Sequence, residues 1–155
     1  MAEELNQMAM RLRYMEENAE ALQQNIQLLQ ATIDNFEASL MTLTNIKDAK
    51  TGQEVLIKIG SATYLKAKLQ DPETVIIGVG MGFGTDVYVE KSIDGAKETI
   101  NERVEEVRKA QNMIQDNLNQ LMEQINTIRP EFERRYAKFQ QDMAQSQGMQ
   151  HSHDH

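Results

Sequence analysis

From Leu5 onward the chain repeats apolar residues at steps of three and four: Leu5, Met8, Leu12, Met15, Ala19, Leu22, Ile26, Leu29, Ile33, Phe36, Leu40 and Leu43. No Pro or Gly interrupts this run, and polar residues fill the other helix positions. So narrow and so long a stripe predicts a coiled-coil arm, not an amphipathic helix lying on a globular core. At 1.5 Å rise per residue the stripe spans about 58 Å. The pattern decays through TNIKDAKTG, where Gly52 suits a turn because it takes positive φ without a Cβ clash. The helix is expected to end between Ile46 and Ala49, within an arm at residues 1–48.

A second stripe of nearly equal length occupies residues 92–143: Ile100, Val104, Val107, Gln111, Ile114, Leu118, Leu121, Ile125, Ile128, Phe132, Arg135 and Phe139. Only Gln111 and Arg135 break its apolar character. Ser92 is an N-cap candidate, and Asp94 in the first turn favours the positive helix end. Gly95 is a poor helix former there, and Pro130, which lacks a backbone donor, is expected to kink or interrupt the helix. Equal stripes joined by a short insert imply that the arms fold back as an antiparallel coiled coil. Setting Leu43 against Ile100 brings Leu5 to Lys138 and Phe139, Met8 to Arg135, and Met15 to Ile128.

Residues 53–91 change period from 3.5 to two. Val55, Ile57 and Ile59 alternate with Leu56 and Lys58; Gly60-Ser61-Ala62 makes a turn; Leu65, Ala67 and Leu69 return on one face. Asp71-Pro72-Glu73 separates a second pair, in which Val75, Ile77 and Val79 share a face with Val87 and Val89. Two tandem hairpins with one apolar face cannot bury it alone, and open strand edges invite pairing. Val55, Ile57, Ile59, Leu65, Leu69, Val75, Ile77, Val79, Val87 and Val89 are therefore the candidate oligomerisation residues, joining copies into a closed β structure. The fold class is α+β: a long antiparallel coiled-coil hairpin carrying two β-hairpins at its base.

The alternating glycines of GVGMGFG do not form a nucleotide loop. The GxGxxG spacing fails, no Walker lysine follows, and the next element is a strand rather than a helix N-terminus. No HExxH, no Cys and no framed Ser/His/Asp set is present, and Glu16-Glu17 and Glu105-Glu106 read as solvated helix faces, so no catalytic residues and no cofactor are expected. A formal charge of −8 argues against nucleic acid as a partner. No apolar run approaches the ~20 residues of a membrane span. With no secretory pattern at MAEELNQM, a cytoplasmic location is expected. The Gln-rich segment 144–155 reads as a disordered tail, and its three His lack a scaffold to hold a metal.

The antiparallel register puts both chain termini at one end. Six of the ten methionines lie near the termini (Met1, Met8, Met10, Met15, Met143 and Met149), and Met is the residue that best adapts to varied partners.

Two equal coiled-coil arms around VLIKIGSATYLKAKLQDPETVIIGVGMGFGTDVYVEK, followed by AKETINERVEEV, resemble the α class of the prefoldin family over about residues 5–143. Tandem hairpins, in place of one, carry the resemblance to that class. It implies a hexamer of two α-type and four β-type subunits, including a second copy of this chain, built on a β-barrel platform. It further implies ATP-independent capture of unfolded polypeptides at the arm tips and their delivery to a group II chaperonin. Met8, Leu12, Met15, Phe132, Tyr136 and Phe139 are the candidate client surface at the tip. The competing reading is a coiled-coil adaptor whose tips bind one folded partner.

Overall fold

The computed structural model describes residues 1–78 and 87–151. Helix α1 (Ala2–Ile46) is followed by strands β1 (Glu54–Gly60), β2 (Thr63–Lys68), β3 (Thr74–Gly78) and β4 (Tyr88–Ser92), and by helix α2 (Ile93–His151). No helix among the described residues is long and apolar enough to cross a membrane. The chain forms two compact units, one of Met1–Leu29 with Ala110–His155 and one of Gln30–Lys109.

In the first unit α1 and α2 run antiparallel, because Arg129 pairs with Glu16 while the earlier Gln111 reaches the later Ile26. Leu12, Met15, Ala19, Leu118 and Ile125 form its core, flanked by Leu22, Ile26, Leu121, Met122, Ile128 and Phe132. Gln111, the polar seam residue, donates from Nε2 to the Ile26 carbonyl at 3.4 Å, so its amide is satisfied and helps fix the register. Pro130 lies inside α2, which continues through it. The expected interruption does not occur: the carbonyl freed by the missing donor belongs to Asn126, an exposed position open to water. The helix also runs on through the expected disordered tail as far as His151, over residues such as Met, Ala and Gln that favour helix. The end of that tail, residues 152–155, lies outside the described residues.

In the second unit the helices are again antiparallel, with Arg108–Glu37 at 2.8 Å and Lys47–Asp94 at 3.5 Å. Such exposed pairs add well under about 1 kcal/mol each and serve alignment more than stability. The core is Ile33, Leu43, Ile77, Ile93, Ala96, Ile100 and Val104, so one strand residue sits among helix residues. Helix α1 ends at Ile46, and in the turn that precedes β1, closed by the Gln53 N–H on the Lys50 carbonyl, Gly52 takes φ 83°, the position that needs a glycine.

Strands β1 and β2 pair antiparallel, with Val55 opposite Ala67 and Ile57 opposite Leu65; the register shifts between Lys58 and Gly60. In the turn it is Ala62, not Gly60, that takes positive φ, at 54°. A Cβ in that region costs about 1 kcal/mol. Between the hairpins, the Glu73 backbone N–H (2.9 Å) and the Thr74 hydroxyl (2.7 Å) donate to the Asp71 carboxylate. Led by the Glu73 bond, these donors hold the Asp71 pKa below its ordinary value. Strands β3 and β4 pair Ile77 with Val89 and Val75 with Lys91.

Helix α2 starts as its sequence requires. Ser92 Oγ accepts the Gly95 backbone N–H at 3.1 Å, an N-cap bond. A Cβ on Gly95 would lie 3.0 Å from that same Oγ, so the glycine gives the cap its room. Ser92→Ala should lower stability by about 1 kcal/mol, read as an earlier urea midpoint with unchanged slope; an unchanged midpoint would show that the cap bond contributes nothing.

Candidate functional site

Two surfaces collect the candidate residues, one in each unit. The first lies at the terminal end of the helices. Leu5 and Met8 of α1 meet Arg135 and Lys138 of α2, and with Met1 and Glu4 they line a cavity of about 220 Å³. This is the register expected from the two stripes. Met8 and Phe139 are half-buried here, and Tyr136 is exposed and stacks on Phe132 with ring centroids 5.9 Å apart. The stack presents the outer face of Tyr136 and leaves Phe132 packed against the core cluster.

Leu12 and Met15 depart from the expected client surface. They are only 6% and 5% exposed, inside the core with Leu118 and Ile125. Heptad spacing aims them at the partner helix, so they hold the helices together and offer almost no surface. Met1, Met10, Met143 and Met149 are exposed. Their signal was the clustering of methionine near both termini. Arg135, read as a seam position, is exposed and pairs with Glu131 at 2.6 Å.

The second surface is the first hairpin. Ile57 and Leu65 are 49% and 54% exposed although they face each other across the ladder. Ile59 is exposed, and Val55 and Leu69 are partly covered. No residue of β1 or β2 belongs to either hydrophobic core cluster. An apolar strand face left open in this way is a surface that another strand or sheet can cover.

The second hairpin is used differently. Ile77 is 9% exposed and lies in the core with Ile33, Ile93 and Ala96; Val75 and Val89 pack against that core. These three were expected to face other subunits, but they share one strand face and that face packs on the chain's own helices. Lys91, on the same face, passes its Nζ outward to the Thr99 hydroxyl at 2.8 Å. The outward set is Ile76 and Tyr88, both exposed and both missed by the sequence reading, with Val87 exposed beside them. Arg103 of α2 donates to the Gly78 carbonyl and anchors the end of β3. Val79 and the glycine run after it fall outside the described residues.

The comparisons agree with this geometry. A family model described as prefoldin subunit matches residues 15–138. The chain is 32% identical over 141 residues to prefoldin subunit alpha 1 of Methanocaldococcus jannaschii, covering 91% of this chain and 94% of that one. It is 31% identical over 110 residues to prefoldin subunit alpha of Thermofilum pendens, covering 71% and 82%. Among solved structures, a chain from the cryo-EM structure of filamentous PFD of Methanocaldococcus jannaschii superposes with a TM-score of 0.67 at 23% identity, covering 81% of this chain and 98% of that one. At that identity the likeness concerns the fold alone.

Proposed function

The chain belongs to the prefoldin family as an α-class subunit of a chaperone, and from that premise we propose that it is an ATP-independent holdase subunit that captures unfolded polypeptides in the cytoplasm. Two copies join four β-type subunits through their hairpins, and the helix ends hold clients until a group II chaperonin takes them. The observation that carries this reading is the set of exposed or half-buried apolar side chains at the terminal end: Met1 and Met8, which line the cavity, and Tyr136, Phe139 and Met143 on the stretch of α2 that supplies Arg135 and Lys138 to it. Each side chain contributes little, since full burial of one apolar residue is worth about 1.5–3 kcal/mol. Several subunits holding one client raise the apparent affinity by avidity, without any nucleotide-driven step. Flexible methionines adapt to clients of differing sequence.

The test is light scattering of a chemically unfolded protein diluted into the assembled complex. The complex should suppress aggregation at near-stoichiometric amounts, with or without ATP. The triple variant Met8→Ser, Tyr136→Ser, Phe139→Ser should need about tenfold more complex for the same effect, the equivalent of about 1.4 kcal/mol. Full suppression by the variant would remove these residues from the client surface. No suppression by the wild-type complex would favour an adaptor that binds one folded partner.

A further inference from the structure

The first hairpin has a second face. Strand alternation directs Lys58, Lys66 and Lys68 to the side opposite Val55, Ile57 and Leu65. Leu56 stands opposite Lys66, and Tyr64 opposite Lys58; all five side chains are exposed. Among the described residues these lysines make no ion pair. Glu54 stands opposite Lys68 on the same face, so the patch holds three lysines against one carboxylate around an apolar centre, a net basic surface on a chain of formal charge −8. The apolar joint described above does not use it.

The complementary surface lies on α2 of the same unit. Glu98, Glu102, Glu105 and Glu106 are exposed along one shallow groove that Lys97 and Lys109 also line, so the groove is acidic on balance; these four glutamates make no ion pair among the described residues. Lys66 and Lys68, two apart on one strand face, are about 7 Å apart along the strand. Glu98 and Glu102, one helical turn apart, rise by about 6 Å. The two rows therefore match in spacing and are opposite in charge, yet they do not pair within one chain.

We infer that the lysine face of the first hairpin docks on the acidic face of α2 in a second copy of this chain. Each copy offers one basic and one acidic surface, and the contact joins the basic surface of one copy to the acidic surface of the other. Leu56 and Tyr64 are covered by the aliphatic stems of the acidic row, and the lysines pair with Glu98 and Glu102. Because it uses the other side of the hairpin, this contact coexists with the apolar joint. It does not depend on client capture.

Carbodiimide joins lysine to glutamate only where the two already touch, and it tests the contact directly. A mixture of isotopically heavy and light full-length chains should give cross-linked peptides joining Lys66 or Lys68 of one copy to Glu98 or Glu102 of the other. Raising salt from about 50 to about 500 mM shortens the screening length severalfold, and cross-link yield should fall about tenfold. The double reversal Lys66→Glu, Lys68→Glu should abolish the cross-linked association in sedimentation at low salt. Adding Glu98→Lys and Glu102→Lys to it should restore that association. Cross-links within single copies only, or no restoration by the fourfold variant, would overturn the inference. So would a lysine reversal that weakens only binding to a β-type subunit, since the occupant would then be that subunit. Failure of the chaperone reading would appear separately, as lost suppression of aggregation with these cross-links intact.

Discussion

The double variant Ile57→Asp, Leu65→Asp should remain a folded subunit and lose the ability to assemble. These residues face each other across β1 and β2, about half exposed, and neither packs into a core cluster. In the free chain, two carboxylates there stay in water and cost little. In an assembly that closes strands over this face, each buried, unpaired charge costs several kcal/mol. At about 1.4 kcal/mol per tenfold, assembly weakens by several orders of magnitude. Sedimentation with a β-type partner should show the wild-type mass collapse to free subunits, while the helical circular dichroism is unchanged. Persistence of the full mass would move the joint elsewhere. Ile77→Asp makes the contrast: Ile77 is an intrachain core residue, so this change should lower helix content and thermal stability in the free chain.

What could be read from the sequence divides by the range of the interaction. The heptad seam is a local pattern, and every seam residue of both arms except Arg135 is buried or half-buried. The Ser92 cap, the positive φ of Gly52 and the turn that joins β1 to β2 are equally local, and all were legible. Strand period two separates Val75, Ile77 and Val89 from Ile76 and Tyr88. It does not say which set meets the helices, because that depends on packing against Ile33, far back in α1, together with Ile93 and Ala96 of α2. The same limit explains Leu12 and Met15: proximity to the terminal end was readable, but their burial depends on Leu118 and Ile125 filling the space opposite. Pro130 was overestimated as a breaker. A helix already packed on both sides of it tolerates one missing bond whose freed carbonyl faces water.

Ile33→Ala and Ile125→Ala should each remove about 2–5 kcal/mol, because each takes a fully buried side chain from a helix seam and leaves a cavity. The consequences should differ, since the two residues belong to clusters with no member in common. Ile33 packs in the cluster that contains Ile77, with Val75 and Val89 against it. Its truncation loosens the seat of the second hairpin, so amide exchange should accelerate across β3, β4 and the first turns of α2. Ile125 packs with Leu12, Met15 and Leu118, and its truncation should accelerate exchange on those stretches of α1 and α2. Hydrogen-exchange mass spectrometry resolves these segments as separate peptides. Acceleration at β3 and β4 in Ile125→Ala, or none there in Ile33→Ala, would contradict the assignment. If the assignment holds, Ile125→Ala weakens client capture by disordering the surface around Met8 and Phe139 while subunits still assemble. Ile33→Ala then weakens assembly first, because the second hairpin is fixed to the helices through that cluster.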